Sequence, residues 1–265
     1  MKVGYNFGVK EKDFWYYQPF NRLFYILAVI WTIITAILCD FLYHRTETFC
    51  RIFLTALYVI TLLGFIVYKL FLSKDSEYKE MYYHGEDRFN WFDELPLQLC
   101  NINLSLIPIG LIWNLEELII FAFYFSFAGA MLAILMPCRG FYDCSFLKPR
   151  MLGFYLTHYL DAMIPQLLLA SRLYTPMYKD CLPAVIILLL LAFIIYLFNT
   201  VVRKLGLSDT INYFYVNGDD GNPILVKLYQ HIPHYYLYMV PTAIPFFIIC
   251  LLKVFLFKTV HTIFF

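Results

Sequence analysis

The sequence predicts an all-α fold, a polytopic membrane helical bundle with about seven transmembrane helices. Of its 265 residues, 62% are hydrophobic, whereas soluble domains are about 45–50% apolar. Apolar stretches of about 20 residues recur along the chain, and each is long enough to cross a bilayer as a helix. The formal net charge of +1 gives no charge bias of the kind that attracts nucleic acid, so we expect no nucleic-acid partner.

Seven apolar segments define the predicted spans. The first two are uninterrupted, and a charged connection at 73–90 follows them. The third and fourth are joined by a very short turn at 114–116, which predicts an antiparallel helical hairpin. The longest loop, about 203–233, precedes the seventh span and contains turn-forming residues. The predicted spans are 20–39, 50–72, 93–113, 117–136, 152–171, 182–202 and 236–257.

We predict one transmembrane domain, residues 20–258, because no repeat or low-complexity linker divides the chain. Residues 1–19 are charged and aromatic and lack the apolar region of a signal peptide. They are predicted to form an interfacial N-terminal segment, with Trp15 and Tyr17 at the level of the lipid headgroups. Residues 259–265 are predicted to be a short C-terminal tail.

Positive charge is divided unequally between the two sides of the predicted bundle. Of the 20 Lys and Arg residues, 14 lie on the side that carries the N-terminus and six on the other. Because cytoplasmic loops carry an excess of Lys and Arg, we predict a cytoplasmic N-terminus, in the plasma membrane if the cell is bacterial. This orientation is opposite to that of seven-helix receptors and rhodopsins, and Lys253 lies too near the end of its span for a retinal Schiff base.

The seven cysteines indicate neither a metal site nor a disulfide framework. They show no C-x-x-C spacing and no matching histidine cluster, which structural zinc sites require. Their number is odd, and several lie inside predicted spans. We therefore predict no metal and no cofactor.

Ionisable residues inside spans are costly in a bilayer and mark candidate functional sites. Asp93 and Glu94 begin the third span, where a solvated cap at a helix N-terminus is the simple interpretation. His158 lies about six residues into the fifth span, or roughly 9 Å of helix rise, and Cys100 lies at a similar depth in the third. Because both spans start from the cytoplasmic side, we predict that Cys100 and His158 approach within about 6 Å.

Cys100 and His158 together have the chemistry of a nucleophile and a base. A thiol reacts as the thiolate, which a neighbouring imidazole favours. Asp161, three residues after His158, shares its helix face and is predicted to orient the ring as the third member of a triad does. Pro96 bends the chain just before Cys100. The alternative for both residues is packing, with a small apolar cysteine and a histidine bonded to a neighbouring helix.

Several short sequence blocks together resemble one membrane-protein family. The blocks are Leu95–Cys100 (LPLQLC), Gly129–Pro137 (GAMLAILMP), Phe154–His158 (FYLTH) followed by Tyr174–Pro176 (YTP), and Asn212–Tyr215 (NYFY) followed by Pro233–Tyr236 (PHYY). In order and spacing, over about residues 50–257, the chain resembles the YwaF-like integral membrane proteins of bacteria and their distant eukaryotic relative, transmembrane protein 164.

The resemblance implies a membrane-embedded acyltransferase activity. The eukaryotic relative looks like a phospholipid acyltransferase that uses a cysteine acyl-enzyme. It is similar in fold to the androgen-induced lipid hydrolases, which use a threonine nucleophile and a histidine. On this resemblance Cys100 matches the nucleophile and His158 the conserved histidine. This chain has Gln98 where the family often has His or Tyr, and Thr157 where it commonly has Ser.

The sequence thus favours an acyltransferase or acyl hydrolase that acts on glycerophospholipids, with membrane phospholipids and lysophospholipids as its partners. Gln98, Asn212 and Tyr213 are predicted to bind substrate by hydrogen bonds to the oxyanion or the headgroup.

The alternative is a non-enzymatic transporter in which His158, Asp161 and Glu94 form a proton or substrate relay. A cavity open to lipid favours the enzyme, and a water path across both leaflets favours the transporter.

Overall fold

The computed structural model confirms the all-α class. It describes residues 13–83, 89–138, 140–219 and 223–264. The predicted features at residues 1–12, in part of the turn-rich loop at 220–222, and at residue 265 lie outside the described residues. The helices are α1 (Arg22–Tyr43), α2 (Glu47–Leu72), α3 (Ser76–Tyr83), α4 (Asn103–Trp113), α5 (Glu116–Leu135), α6 (Pro149–Ala162), α7 (Ile164–Ala170), α8 (Cys181–Lys204), α9 (Pro223–His231) and α10 (Ala243–Phe264). Two short strands, β1 (Tyr16–Tyr17) and β2 (Cys144–Ser145), pair antiparallel.

Within these ranges, five helices are long and apolar enough to cross a membrane, so the chain is an integral multi-pass membrane protein. They correspond to the first, second, fourth, sixth and seventh predicted spans. Side-chain caps begin the first two: Asn21 accepts from the N–H of Phe24 at 2.9 Å, and Thr46 accepts from the N–H of Phe49 at 3.3 Å. The five helical segments are Arg22–Tyr43, Glu47–Leu72, Glu116–Leu135, Tyr178–Lys204 and Leu237–Thr259.

The third predicted span, 93–113, is not a continuous helix. Its long helix is α4, whose 11 residues rise about 16 Å, roughly half the hydrocarbon thickness of a bilayer. Residues 94–102 form an irregular segment of turns. Pro96 explains the interruption, because it has no N–H to donate and it disfavours helical backbone at Leu95. Cys100 therefore lies in a turn before a helix rather than one turn inside it.

The fifth predicted span is two helices. α6 ends at Ala162, and α7 begins at Ile164 and carries Pro165 in its first turn. Because Pro165 cannot donate a hydrogen bond to the turn before it, the helix is broken at Met163. The third and fifth predicted spans are thus both interrupted, and they carry the two candidate catalytic residues.

Contacts at the two ends of the bundle agree with the predicted alternation of the passes. At one end β1 pairs with β2, and Arg150 at the start of α6 donates to Glu77 on α3 at 2.7 Å. At the other end Arg172, after α7, donates to the carbonyl oxygen of Tyr43 at the end of α1 at 2.8 Å. The connections predicted to lie on one side therefore meet at one end of the bundle.

α5 is the central helix of the bundle. Of its most apolar stretch, 61% is buried, against 11% for α1 and 11% for α10. It packs against α4, α6, α7 and α8, and its Tyr124 and Phe125 are fully buried. The outer helices α1 and α10 present their apolar side chains away from the protein, as lipid-facing helices do.

The described part of the N-terminal segment has one exposed and one buried aromatic side chain. Trp15 is 41% exposed, but Tyr17 is fully buried. The Tyr17 ring centroid lies 4.3 Å from that of Tyr155 on α6. Tyr17 therefore packs within the protein, because the β1–β2 pairing folds this segment against α6.

Candidate active site

Cys100 lies in a turn that packs directly on α5. The carbonyl oxygen of Gln98 accepts a hydrogen bond from the N–H of Asn101 at 2.8 Å, which closes the turn around Cys100. A Cβ atom added to Gly129 would lie 3.3 Å from the carbonyl oxygen of Leu99 and 3.4 Å from the backbone nitrogen of Cys100. The missing side chain of Gly129 thus permits this close approach, while Cys100 stays partly exposed.

Tyr213 braces the irregular segment that carries Cys100. Its hydroxyl donates to the carbonyl oxygen of Phe92 at 2.7 Å and accepts from the N–H of Leu95 at 2.6 Å. Pro96 cannot supply the N–H that a helix would offer to Phe92, and irregular backbone at membrane depth needs such partners. The sequence predicts that Tyr213 binds substrate, whereas the structure uses its hydroxyl to hold this segment.

Gln98 and Asn212, the other two residues predicted to bind substrate, also make hydrogen bonds within the protein. The side-chain oxygen of Gln98 accepts from the N–H of Phe214 at 3.0 Å. Asn212 donates to the carbonyl oxygen of Gly218 at 2.8 Å and accepts from the N–H of Asn217 at 2.9 Å. In this structure both side chains therefore position backbone segments.

His158 is buried on α6 with one ring nitrogen engaged and the other without a partner. Nδ1 lies 2.6 Å from the carbonyl oxygen of Phe154, one turn earlier on the helix, and the two rings pack at 4.2 Å. Because a carbonyl oxygen can only accept, Nδ1 carries the hydrogen, and Nε2 of the neutral ring is left as an acceptor. Nε2 is buried and makes no hydrogen bond. This is the state that a general base needs before it takes a proton.

Asp161 does not hold the His158 ring in this structure. The position at Nδ1 that a triad carboxylate would occupy is taken by the carbonyl oxygen of Phe154. Asp161 is fully buried beside the amide of Asn103 on α4, but no well-aligned hydrogen bond reaches either carboxylate oxygen. The orienting role predicted for Asp161 thus belongs to a backbone carbonyl, because that oxygen lies one helical turn directly before the ring.

Lys69 carries a positive charge that acts on both candidate catalytic residues. Lys69, in the last turn of α2, lies within electrostatic range of both the Cys100 thiol and the His158 ring. Cys100 and His158 are therefore within electrostatic range of the same ammonium group. No hydrogen bond joins Cys100 Sγ to Nε2 of His158, and their approach within about 6 Å stays a prediction.

The sequence analysis does not predict that the Glu94 carboxylate is buried and accepts several hydrogen bonds. The Glu94 carboxylate accepts from the ammonium of Lys69 at 2.5 Å and from the hydroxyls of Tyr78 at 2.6 Å and Tyr83 at 3.0 Å. Glu94 is only 7% exposed, so the solvated cap predicted for it is wrong. Its partners lie on α2 and α3, and only the charge of Lys69 near the end of an apolar span could have suggested the pair.

Asp93 is also bound by the protein. Its carboxylate accepts from the hydroxyls of Ser208 at 2.6 Å and Thr210 at 2.9 Å. These bonds connect the start of the third pass to the loop after α8, so Asp93 helps to anchor the segment before Cys100.

Two cavities of the protein lie away from these residues. One cavity of about 310 Å³ is lined by residues that include Arg51, Gly110 and Arg172, and Gly110 is roughly 10 Å of helix rise beyond Asn103, where α4 begins after the Cys100 turn. A second, of about 500 Å³, is lined by the N-terminal segment and the start of α1. Neither is lined by Cys100 or His158. In the described part of the chain, no group of His, Cys, Asp and Glu is arranged to hold a metal ion.

The fold and these residues define a class: multi-pass helical membrane proteins with a cysteine and a histidine on interrupted passes. The chain belongs to the TMEM164 family, whose model matches residues 16–251. This membership confirms the relation to transmembrane protein 164 that the sequence blocks predict. No curated protein and no solved structure matches the chain significantly.

Proposed function

We propose that this protein is a membrane-embedded acyltransferase, or an acyl hydrolase, that acts on glycerophospholipids through Cys100 and His158. One observation carries the proposal: Nε2 of His158 is buried without a partner while Nδ1 is held by Phe154. A buried polar group without a partner costs about 1–3 kcal/mol, so a role in proton transfer gives a reason for its presence. The match of Cys100 to the nucleophile of the resembled family supports the same assignment.

In the first half-reaction the Cys100 thiol gives its proton to Nε2 of His158, and the sulfur attacks the ester carbonyl carbon of a phospholipid. The C–O bond to the lysolipid breaks, and His158 gives the proton to the departing oxygen. The acyl chain is then a thioester on Cys100. In the second half-reaction an acceptor hydroxyl attacks this thioester, its proton passes to His158, and the C–S bond breaks to restore the thiol.

The test is acyl turnover by purified protein in vesicles, with a phospholipid labelled in its acyl chain and a lysophospholipid as acceptor. We expect Cys100→Ala and His158→Ala to abolish turnover, and Cys100→Ser to be nearly as inactive because a hydroxyl ionises far less easily than a thiol. Cys250→Ala, which removes a fully buried thiol on α10, and His44→Ala at the exposed end of α1 are the matched controls and should retain turnover.

Two outcomes would contradict the proposal. Turnover that persists in Cys100→Ala would exclude a cysteine acyl-enzyme. No turnover by the wild type across a broad panel of lipids would favour the transporter instead. Thermal stability is measured beside activity, so that a loss caused by unfolding is recognised.

We also propose that the N-terminus of the protein lies in the cytoplasm, and that the membrane is the plasma membrane if the cell is bacterial. The support is the excess of Lys and Arg in the connections that meet at the β1–β2 end of the bundle. Cys100 and His158 both lie nearer to that end than to the other. Acyl chemistry would then take place in the cytoplasmic leaflet.

The transporter alternative retains one supporting observation, the unpaired carboxylate of Asp161 inside the membrane bundle. Against it, the third member of the predicted relay, Glu94, is held by three hydrogen bonds from Lys69, Tyr78 and Tyr83. Proteoliposomes loaded with a pH-sensitive dye separate the two functions. Proton or solute flux that Asp161→Asn abolishes would support the transporter.

A further inference from the structure

Three buried polar side chains lie on α4, α5 and α6, and both α4 and α6 pack against α5. Asn103 begins α4, Ser126 lies on α5 and Asp161 lies on α6, and all three are fully buried. Their side chains hold five polar atoms that make no hydrogen bond: both amide atoms of Asn103, the Ser126 hydroxyl and both carboxylate oxygens of Asp161.

The register of α4 against α5 brings Asn103 opposite Ser126. The two segments run antiparallel and touch closely at two places, Cys100 against Gly129 and Gly110 against Ile119. In an antiparallel pair, residues that lie opposite each other have residue numbers with a constant sum. The two contacts have the same sum. Asn103 and Ser126 satisfy the same relation, and along their helices they lie between these two contacts.

Asp161 completes the group from the third helix. Its carboxylate lies beside the Asn103 amide and within electrostatic range of the Cys100 thiol. The neighbouring hydroxyl of Tyr58 does not serve it, because that hydroxyl donates to the carbonyl oxygen of Leu160 at 2.9 Å. The carboxylate is therefore buried near Cys100 with the Asn103 amide beside it but with no well-aligned hydrogen bond.

Such a group implies an occupant. Each unpaired buried polar atom costs about 1–3 kcal/mol, and buried polar sites normally keep partners. The occupant must donate a hydrogen bond to the Asp161 carboxylate and accept one from the Asn103 amide or the Ser126 hydroxyl. An alcohol or water hydroxyl does both with a single oxygen atom.

We propose that Asn103, Ser126 and Asp161 form the acceptor subsite, which binds the hydroxyl that attacks the acyl thioester on Cys100. The subsite rests on the proposed function. Its ligand is a hydroxyl from one of two sources, the glycerol of a lysophospholipid or water. The source that it binds decides whether the protein transfers or hydrolyses the acyl chain.

The chemical step balances without another reactant. The bound hydroxyl oxygen forms a bond to the thioester carbonyl carbon, and its proton passes to Nε2 of His158. The C–S bond breaks, and the sulfur recovers a proton from His158 to become the Cys100 thiol. Asp161 accepts a hydrogen bond from the hydroxyl as it binds and orients it, and for the attack that hydrogen turns to Nε2 of His158, while Asn103 and Ser126 hold the oxygen in place.

The test separates formation of the acyl-enzyme from its breakdown. Purified protein in vesicles receives labelled phospholipid alone, and acylation of Cys100 is followed by mass spectrometry of the intact protein. Lysophospholipid is then added, and loss of the acyl group is timed, with new phospholipid and free fatty acid measured separately. New phospholipid identifies the lipid hydroxyl as the ligand, and free fatty acid identifies water.

We expect Asp161→Asn and Ser126→Ala to acylate at nearly the wild-type rate but to lose the acyl group at least about tenfold more slowly, with a raised KM for the acceptor. The control is Ser171→Ala, which removes a buried hydroxyl bonded to Leu168 after α7 and should change neither rate. Ser126→Ala removes one atom, so it remains informative if Asp161→Asn folds poorly.

Two results would overturn the subsite alone: unchanged loss of the acyl group in both variants, or acylation and its breakdown falling together. A wild type that forms no acyl-enzyme on Cys100 would overturn the subsite and the proposed function together.

Discussion

The backbone of Cys100 packs closely against Gly129 of the central helix, and the neighbouring carbonyl oxygen of Leu99 would lie only 3.3 Å from an added Cβ atom. An added Cβ atom would lie 3.4 Å from both the nitrogen and the Cα of Cys100. The position of the candidate nucleophile therefore depends on a residue whose contribution is the absence of a side chain. That dependence can be tested without touching the chemistry of the site.

We expect Gly129→Val to displace the Cys100 turn, because its branched side chain must enter space that the turn occupies. The destabilisation should be about 1–3 kcal/mol, as for other overpacked sites, and labelling of Cys100 by an acyl-chain probe should fall. Gly64→Val on α2 is the matched control, since an added Cβ there meets nothing within 4 Å. Equal labelling of Cys100 in the two variants would contradict the role of Gly129.

The His158 ring is expected to be neutral with its hydrogen on Nδ1, because Nδ1 faces the carbonyl oxygen of Phe154 at 2.6 Å. Nitrogen NMR of protein labelled in its histidine rings distinguishes the two tautomers by their shifts. The spectrum of His158→Ala identifies the signal by its loss, and His44→Ala serves as the control for an exposed ring. A hydrogen on Nε2 would show that the ring is not arranged as a base toward Cys100.

The Lys69–Glu94 pair should be sensitive to the loss of one charge, because the two side chains are only 12% and 6% exposed. Glu94→Gln keeps an acceptor for Tyr78 and Tyr83 but leaves the ammonium of Lys69 buried without a counter-charge. We expect a loss of about 3–5 kcal/mol in the free energy of unfolding, and a partial recovery when Lys69→Met is added.

The exposed pair of Glu47 and Arg51, at 3.2 Å, provides the control for that measurement. Glu47→Gln should cost about 0–1 kcal/mol, because solvent screens an exposed pair. Similar losses for Glu94→Gln and Glu47→Gln would mean that the buried pair contributes no more than a surface one.

Docking of α3 should weaken in acid. Burial by itself raises the pKa of Glu77, but hydrogen bonds and charge from Lys148 and Arg150 outweigh it and lower the pKa below its usual value. With a lowered folded-state pKa, the stabilisation is present above the ordinary glutamate value of about 4.3 and is lost as the pH falls through the lower folded value.

Hydrogen exchange of the α3 amides at a series of pH values, corrected for the intrinsic rates, measures this effect. Protection should fall with the pH in the wild type. It should be weaker and less dependent on pH in Glu77→Gln, in which Arg150 keeps its second partner, Asp75, at 3.1 Å. Protection in the wild type that does not change with pH would contradict the prediction.

The orientation predicts which connections face the cytoplasm. Single cysteines introduced at Ser76 on α3 and at Thr46 between α1 and α2, in a background without other exposed cysteines, should differ in labelling by a reagent that cannot cross the membrane. In whole cells we expect Thr46→Cys to react and Ser76→Cys to react only after the cells are opened. The reverse pattern would invert the proposed topology.

Several features of the protein were predictable because they depend on local sequence. A run of apolar residues long enough to cross a bilayer has few folds available to it, since its backbone groups must bond within the segment. The short turn at Asn114 and the interruption at Pro96 follow from neighbouring residues alone. The fold class and the family therefore follow from the sequence by itself, and so does the choice of Cys100 and His158 as candidates.

Other features depend on residues that are distant in the sequence. Tyr213 lies 118 residues from Leu95, whose N–H it accepts, and Glu94 is paired with a lysine on a different helix. Hydropathy reports how much of a segment is apolar, but it does not report which polar atoms face each other after packing. The sequence therefore predicts a solvated cap at Glu94 and a substrate contact at Tyr213. In the folded protein both side chains make hydrogen bonds to other parts of the chain.

The roles of polar groups around the site were likewise decided by tertiary structure. The i+3 spacing of Asp161 from His158 predicts a triad, but the helix already offers the carbonyl oxygen of Phe154 to the ring. Asp161 instead lies beside Asn103 on another helix. The sequence determined which chemical groups the membrane bundle contains. Only the register of the helices decided which of those groups meet, because hydrogen bonds form at specific distances and angles that side-chain identity does not encode.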